Sequence, residues 1–424
     1  MTAPNVHTHR LKVVHLNASS AGGAFVAAQR LSQALDLLPN VHSQHWVFEG
    51  SEGDFSLWAN SWLKKKWAFG LHALEKLDFL RYEREKSVRF AFSHGKTGVN
   101  VSVWKSIQEA DVIHLHWVNK GFVSLHGLRD LLSLNKRVVW TCHDMWPFTG
   151  GCYHPRGCDH FENHCGNCHY LQSPTDTDLS RRVFSAKKEM YVEHGGQLHF
   201  VTPSQWLKDQ ALKSGALTPQ LRDRIQVIPN PIDTHYFHPR QHESEALAFT
   251  LMFAAANLGN AAKGFAEFRA LCNGLVAQGF KHINALVVGE NRIGDLGLHC
   301  PSTEWGFVSD PQKMREAYWQ SDIYVTTSHE ENLPTTIMES LSCGVPVAAF
   351  AVGGIPEMVQ VVGSQTTGFL SAKMDVDSLQ EQIAQYLQLS LLERQEIQNH
   401  CREFALNRYA AANIAKAYEQ MYRS

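Results

Sequence analysis

The stretch DIYVTTSHEENLPTTIMESLSCGVPVAAF, Asp322 to Phe350, reads as a strand, a turn, a helix and a second strand. The β-branched runs 322–327 and 345–350 suit strands, and 334–343 has helical periodicity. Two strands joined through a helix make a parallel βαβ unit. Pro334 suits a first helical residue, because the N–H it lacks would be unpaired there anyway. The amides near Thr335 and Thr336 are then free to meet an anion. Glu331 and Glu339 lie eight positions apart. Helical side chains lean back toward the N-terminus, so both carboxylates address the same helix start. Amides suit phosphate, and a carboxylate accepts two hydrogen bonds from hydroxyls. A helix cap with a solvated glutamate fits the same letters, and this stretch alone does not separate the two readings.

The same alternation extends in both directions. Strand candidates are LKVVHL (11–16), SQHWVF (43–48), DVIHLHW (111–117), RVVWTC (137–142), LHFVT (198–202), IQVIPN (225–230), FTLMFAA (249–255) and NALVVG (284–289). Helical patterns fall at 24–37, 122–134, 264–279 and 376–389. This is an α/β chain of parallel sheets covered on both faces. NPIDTHYFHPRQHESEA (230–246) has no apolar period and marks a boundary between two halves of similar size. FALNRYAAANIAKAYEQMYR (404–423) reads as a terminal helix.

Bulk composition excludes some classes. The chain has 424 residues, 44% hydrophobic and 19% charged, with a formal charge of -2. A nucleic-acid binder is normally more basic, so none is expected as a partner. No apolar run reaches the roughly 18 residues of a membrane span. The N-terminus lacks a secretory pattern, which points to the cytoplasm, where the nine cysteines stay reduced.

Ligands of open α/β sheets bind beyond the carboxyl ends of the strands. Three further motifs stand there. SSAGGAF (19–25) places Gly22 and Gly23 at a helix start, and NAAKGFAEF (260–268) places Lys263 where it can neutralise a diphosphate. His143-Asp144 ends the strand 137–142, with the aspartate expected to orient the imidazole.

Two segments break the pattern. Residues 60–90 form a long amphipathic run in which Trp62 and Trp67 bracket Lys64, Lys65 and Lys66. It reads either as a packed helix with a basic edge or as a surface touching an anionic membrane. The loop 150–170 carries Cys152, Cys158, Cys165 and Cys168, spaced C-x5-C-x6-C-x2-C. The closing C-x2-C is a zinc half-site, and His154, His160 or His164 can replace one thiolate. A closed thiolate site would be structural, not catalytic. Free thiols, transient disulfides and an iron–sulfur cluster are the alternatives.

In this order, the SGG-type loop, HDMWPFTGGC (143–152), KGF (263–265), EENLPTTIMES (330–340), VGGIPEMV (352–359) and IPNPID (228–233) resemble the family-4 retaining glycosyltransferases of GT-B fold. The resemblance covers essentially the whole chain and is strongest to the bacterial capsular and exopolysaccharide, colanic-acid-type branch. It implies two Rossmann-like domains facing each other across a cleft: 1–230 on the acceptor side, 231–405 binding the nucleotide sugar, and a terminal helix 406–424 returning to the first. It implies a nucleotide-diphosphate sugar donor, a lipid-linked oligosaccharide acceptor and no catalytic metal; peripheral membrane contact through 60–90 is a reading of that segment's residues alone. By the same resemblance Glu339 holds the ribose and Glu331 the donor sugar. Lys263, with the amides near Gly22, Gly23, Thr335 and Thr336, holds the diphosphate; Asn332 lines the donor site and His143 faces the reacting sugar. One departure stands out. The family's arginine before the KG lysine is missing from AAANLGNAAKG (254–264), which has Asn257 instead, so Arg292 is the substitute cation considered. A GT-B epimerase of nucleotide sugars and a non-enzymatic zinc-containing binding protein are the alternatives.

Overall fold

The computed structural model describes residues 10–240, 248–361 and 365–424. The chain forms two compact units, one running to Pro231 and taking up Ala412–Ser424, the other Ile232–Ala411. Residues 241–246 of the expected boundary segment lie outside the described residues.

The first unit holds β1 (Leu11–Ser19), β2 (Val41–Glu49), β3 (Ser56–Leu57), β4 (Val112–Leu115), β5 (Arg137–Thr141), β6 (Leu198–Thr202) and β7 (Ile225–Val227). They lie in the order β3-β2-β1-β4-β5-β6-β7, with every pair parallel. Its helices are α1 (Gly23–Asp36), α2 (Trp62–Leu80), α3 (Lys105–Glu109), α4 (Leu125–Leu132), α5 (Leu179–His194), α6 (Gln205–Lys213) and α7 (Pro219–Asp223).

The second unit holds β8 (Phe249–Asn257), β9 (Ile283–Glu290), β10 (Ser302–Gly306), β11 (Ile323–Thr326), β12 (Val347–Phe350) and β13 (Gly368–Ser371). Their order is β10-β9-β8-β11-β12-β13, again all parallel. Its helices are α8 (Phe265–Ala277), α9 (Pro311–Trp319), α10 (Thr335–Ser342), α11 (Val376–Gln388) and α12 (Leu391–Tyr409); the chain ends with α13 (Ala411–Arg423). The two sheets share one winding. The strand order reverses between β1 and β4 and between β8 and β11, which is where such sheets open a crevice. Every residue of β4, β11 and β12 is buried, as double-sided cover requires.

Several expected boundaries move for local reasons. The strand read at 225–230 stops at Val227, and Pro229 has no N–H with which to extend it. The helix read from 122 starts at Leu125, because Ser124 caps it by accepting the Gly127 N–H at 3.0 Å. Pro334 is the cap rather than the first helical residue, with ψ 126. The edge strand β10 and the short β13 carried no readable alternation.

The terminal pattern 404–423 is two helices. Ala410 is extended (ψ 125) and forms a bridge with Ile232, flanked by Ile232 N–H to Tyr409 C=O at 2.9 Å and Ala411 N–H to Ile232 C=O at 3.0 Å. Residues 406–411 therefore stay with the second unit, and the return begins at Ala412 rather than 406. Within the first unit α13 is seated by polar contacts. The Tyr418 hydroxyl lies 2.9 Å from Thr141 Oγ1, and Arg137 donates to Met421 C=O at 2.8 Å.

Candidate functional site

In the second unit the glycine turn and the glutamate loop are pinned together. Gly264 follows Lys263 at φ +79, and a Cβ there would fall 1.9 Å from Thr327 C=O. Only glycine allows this approach, and Thr327 Oγ1 fastens it by donating to Gly264 C=O at 2.6 Å. The His329 N–H bonds Ala262 C=O at 2.9 Å. The Lys263 ammonium consequently reaches Glu331, Nζ to Oε1 2.5 Å. From the other side Gly353 packs on Glu331, where a Cβ would meet its carbonyl at 1.7 Å. The VGG motif is thus a support for the Glu331 backbone.

Helix α10 opens beside this pair. No side chain caps it, since Pro334 stands at the cap position. Thr335, Thr336, Asn332 and Glu331 are half-buried, and Glu339 is buried. Tyr318 donates to Glu339 Oε2 at 3.1 Å, and Tyr324 donates to Thr336 Oγ1 at 3.0 Å. One carboxylate oxygen of Glu339 is thereby oriented. Asn257 caps its own loop, accepting the Gly259 N–H at 2.8 Å. Arg292 pairs with Glu290 at 2.7 Å, and its Cβ lies 3.8 Å from the position a Cβ on Gly259 would take. The substitute cation thus borders the loop that lacks the arginine.

In the first unit the candidate residues stand beyond the carboxyl ends of β1 and β5. Gly22 (φ +89) starts α1 without a side-chain cap, and a Cβ at either Gly22 or Gly23 would meet no atom within 4 Å. His143 is held through Nε2, 3.1 Å from His116 Nδ1. Burial lowers its pKa to about 4, so the ring is neutral at pH 7. Burial raises the Asp144 carboxyl to about 6, against a 2.8 Å bond from the Trp146 N–H. His116 was not legible as an orienting partner in the sequence. The signal was present, since histidine recurs inside four strand candidates, at 15, 45, 114, 116 and 199.

The loop after His143 is tied from beneath by Lys187. This buried ammonium donates to Trp146 C=O and, at 3.0 Å, to Thr149 C=O, and lies 3.6 Å from the Trp146 ring centre. All four cysteines line one cavity of about 20 Å³ beside it, room for a single ion. Gly150 N–H points at Cys165 Sγ, 3.2 Å away. The C-x2-C turn runs through left-handed backbone at Cys165, Gly166 and Asn167, with φ of 48, 116 and 47. Gly166 N–H bonds Ser180 Oγ at 3.0 Å, and Cys168 N–H bonds Asp178 Oδ2 at 2.9 Å. Among the described residues, the three metal-capable donor groups that approach within 4.8 Å of each other are His15, His114 and His116, so the sulfurs stand wider apart than in a metal-closed site. His160 Nδ1 bonds Gly166 C=O at 2.8 Å; His164 lies 3.5 Å from Asp176.

Helix α2 turns an apolar face to solvent. Trp62, Leu63, Trp67, Phe69, Leu74 and Leu77 are each more than half exposed. At 100° per residue, these six fall within about 160° of arc. Lys66 Nζ sits 3.9 Å from the Trp62 ring centre, within that arc. No helix among the described residues is long and apolar enough to cross a membrane.

The chain is similar to known proteins. Residues 97–236 match the model of Glycosyltransferase Family 4, and residues 249–407 that of Glycosyl transferases group 1. The chain is 26% identical over 290 residues to WcaC of Escherichia coli K12, named for colanic acid biosynthesis glycosyl transfer, covering 66% of this chain and 65% of that protein. It is 28% identical over 121 residues to the lipopolysaccharide core mannosyltransferase LpsB of Rhizobium meliloti, covering 28% of this chain and 34% of that one. The matched segments thus span less than two thirds of either relative. Among solved structures it resembles Anabaena HepE in complex with UDP-glucose (TM-score 0.60, 17% identity, 97% of this chain and 99% of that one). Sucrose-phosphate synthase of Thermosynechococcus elongatus is similarly close (TM-score 0.61, 16% identity, 98% of each chain).

Proposed function

Because the chain joins a family 4 to a group 1 glycosyltransferase domain and so belongs to the glycosyltransferases of GT-B fold, we propose that it moves a hexose from a nucleotide-diphosphate sugar to a lipid-linked oligosaccharide, with retention at the anomeric carbon, in polysaccharide biosynthesis. The observation that carries this reading is the Lys263–Glu331 pair at 2.5 Å beside the uncapped start of α10, with Glu339 buried in the same helix. In this reading a diphosphate takes Lys263 and the amides of Thr335 and Thr336. Glu331, released from the lysine, accepts from sugar hydroxyls, Asn332 lines the same loop, and Glu339 accepts from the ribose. Gly22 and Gly23 add amides at the phosphate, and Arg292 supplies charge near the Asn257 loop.

The neutral His143 is suited to hydrogen bonding with the reacting sugar. The anomeric carbon–oxygen bond to the diphosphate breaks as the acceptor oxygen bonds the same face of that carbon. The acceptor's proton passes to the departing phosphate oxygen, so the step needs no protein nucleophile or metal. Calorimetry with UDP and GDP tests the donor assignment. One of them should bind the parent, and Glu339→Ala should weaken it about ten- to a hundredfold, as loss of hydrogen bonds to a carboxylate implies. Unchanged binding refutes the ribose role.

The exposed apolar arc of α2, with Lys64, Lys65 and Lys66 on and beside it, supports contact with an anionic bilayer that presents the acceptor. Co-sedimentation with anionic vesicles should fall when the three lysines become glutamine, each near-surface charge contributing about 1 kcal/mol. Equal sedimentation refutes the contact.

The four thiols around a one-ion cavity support structural zinc. Cys152, Cys158, Cys165 and Cys168 would hold it, with the Gly150 N–H supporting one sulfur and some contraction of the loop. Purified protein should carry about one zinc per chain by the four-thiolate logic. Metal-free protein with four freely titrating thiols excludes the site.

A further inference from the structure

Histidines stand at matching depth on neighbouring strands of the first sheet. His15 on β1 is in register with His45 on β2 and with His114 on β4. His116 follows His114 by two residues, the spacing that keeps one face of a strand. All four are at most 4% exposed. His114 is closed off by hydroxyls, Nδ1 to Tyr422 at 2.7 Å and Nε2 to Thr141 at 2.7 Å. The other contacts form a line: His15 Nδ1 to His116 Nε2 at 3.0 Å, then His116 Nδ1 to His143 Nε2 at 3.1 Å. The rings lie nearly parallel along it, His15 and His116 at 5.3 Å and His116 and His143 at 5.4 Å between centroids, with planes 20° and 24° apart.

The proton positions in this line follow from counting. A neutral imidazole has one N–H and one lone pair. Burial holds His15, His116 and His143 below the ordinary histidine range, so all three are neutral at pH 7. Two N–H···N bonds among three neutral rings allow two arrangements. In one, His15 donates to His116, His116 donates to His143, and the proton of His143 stands on its Nδ1. In the other every bond reverses, and the proton of His15 is driven onto its Nε2. That Nε2 is buried and has no hydrogen-bond partner. A stranded N–H is the rarer of the two kinds of orphan in folded proteins, which favours the first arrangement at the His15 end of the line. A metal among His15, His114 and His116 would need the lone pairs that these contacts already use on His114 and His116.

We propose that His15 and His116 are positioning residues that lock His143 as the Nδ1–H tautomer, closing its Nε2 to substrate and making its ring a hydrogen-bond donor rather than a base. The ligand class this suits is an oxygen acceptor, a sugar hydroxyl or a phosphate oxygen. The purpose of the lock rests on His143 facing the donor sugar as proposed above; the lock itself does not.

The test is two-bond proton–nitrogen NMR on the full chain labelled in its imidazoles at pH 7.5, with the His143 signals identified from their loss in His143→Gln. An unprotonated Nε2 and a protonated Nδ1 are expected. A protonated Nε2, an imidazolium, or a shift showing metal at His116 overturns the lock, whatever a transfer assay shows. In His116→Phe the tautomers should mix and kcat should fall about tenfold with UDP or GDP affinity kept. His116→Asn, whose amide N–H stands in for Nδ1–H, should recover most of the rate, and no recovery with folded protein overturns the lock. A correct tautomer together with an unaltered rate in His143→Gln would instead refute the donor-sugar placement of His143.

Discussion

The two sheets share a winding and differ in their interiors. At the centre of the first, β1 and β4 bury His15 and His114 side by side, with His116 just beyond. At the centre of the second, β8 and β11 bury Leu251 against Ile323 and Phe253 against Val325. No histidine is buried among the described residues of the second unit. An aliphatic sheet interior needs only shape and volume. A row of imidazoles needs each N–H placed, so its side chains fix one another's orientation. The second unit spends its polar residues at loop ends, on Lys263, Glu331 and Glu339; the first carries them into the sheet, behind His143.

The largest expected consequence is acid lability confined to the first unit. His15, His114 and His116 titrate well below the usual 6.5, and His45 at about 3, all through burial. Below pH 6.5 the unfolded chain takes up protons that these folded rings refuse, so stability is lost as pH falls, by about 1.4 kcal/mol per pH unit for each such ring. Asp144, raised to about 6, acts oppositely, losing its stabilisation as pH rises from 3.8 to 6, but it is one group against these four and against His143 and His199, both lowered to about 4. Hydrogen exchange at pH 5 should therefore show β4 and β5 opening before β11 and β12. The reverse order would break the comparison.

A smaller effect is expected at the ring that ends the line. His143→Ala should lower kcat ten- to a thousandfold, by about 1.4–4 kcal/mol of barrier, with nucleotide affinity kept. In the second unit Glu339→Ala should act oppositely, raising donor KM more than it lowers kcat, because the ribose proposed as its partner does not react. Steady-state kinetics on both variants sharpen the contrast; parallel losses in kcat for the two would remove it.

The glycine turns should also part company. Gly264→Ala puts a Cβ 1.9 Å from Thr327 C=O and should cost about 1–3 kcal/mol of stability, seen as a lower Tm. Gly23→Ala meets nothing within 4 Å and should stay within about 0.5 kcal/mol. Reduced sugar transfer by Gly23→Ala at an unchanged Tm would indicate that its open space holds the donor.

Much of the second unit's candidate site was legible as a local arrangement because its parts are short. The turn holding Lys263, the strand end at 326 and the start of α10 are each a few residues long, and their chemistry follows from residue type. The role of VGG was not, because Gly353 supports the carbonyl of Glu331, distant in sequence. Nor was the break at Ala410, which exists because Ile232 pairs there. Asp144 was expected to orient His143, yet the contact on Nε2 comes from His116.

The amino-acid order by itself determined the alternation of strands and helices, the doubly wound class and the motifs at strand ends, since periodicity and turn chemistry act within a few residues. Tertiary structure decided which histidines meet. His15, His116 and His143 come together only through the register of β1 with β4 and of β4 with β5, and register is a property of paired strands that no single segment contains.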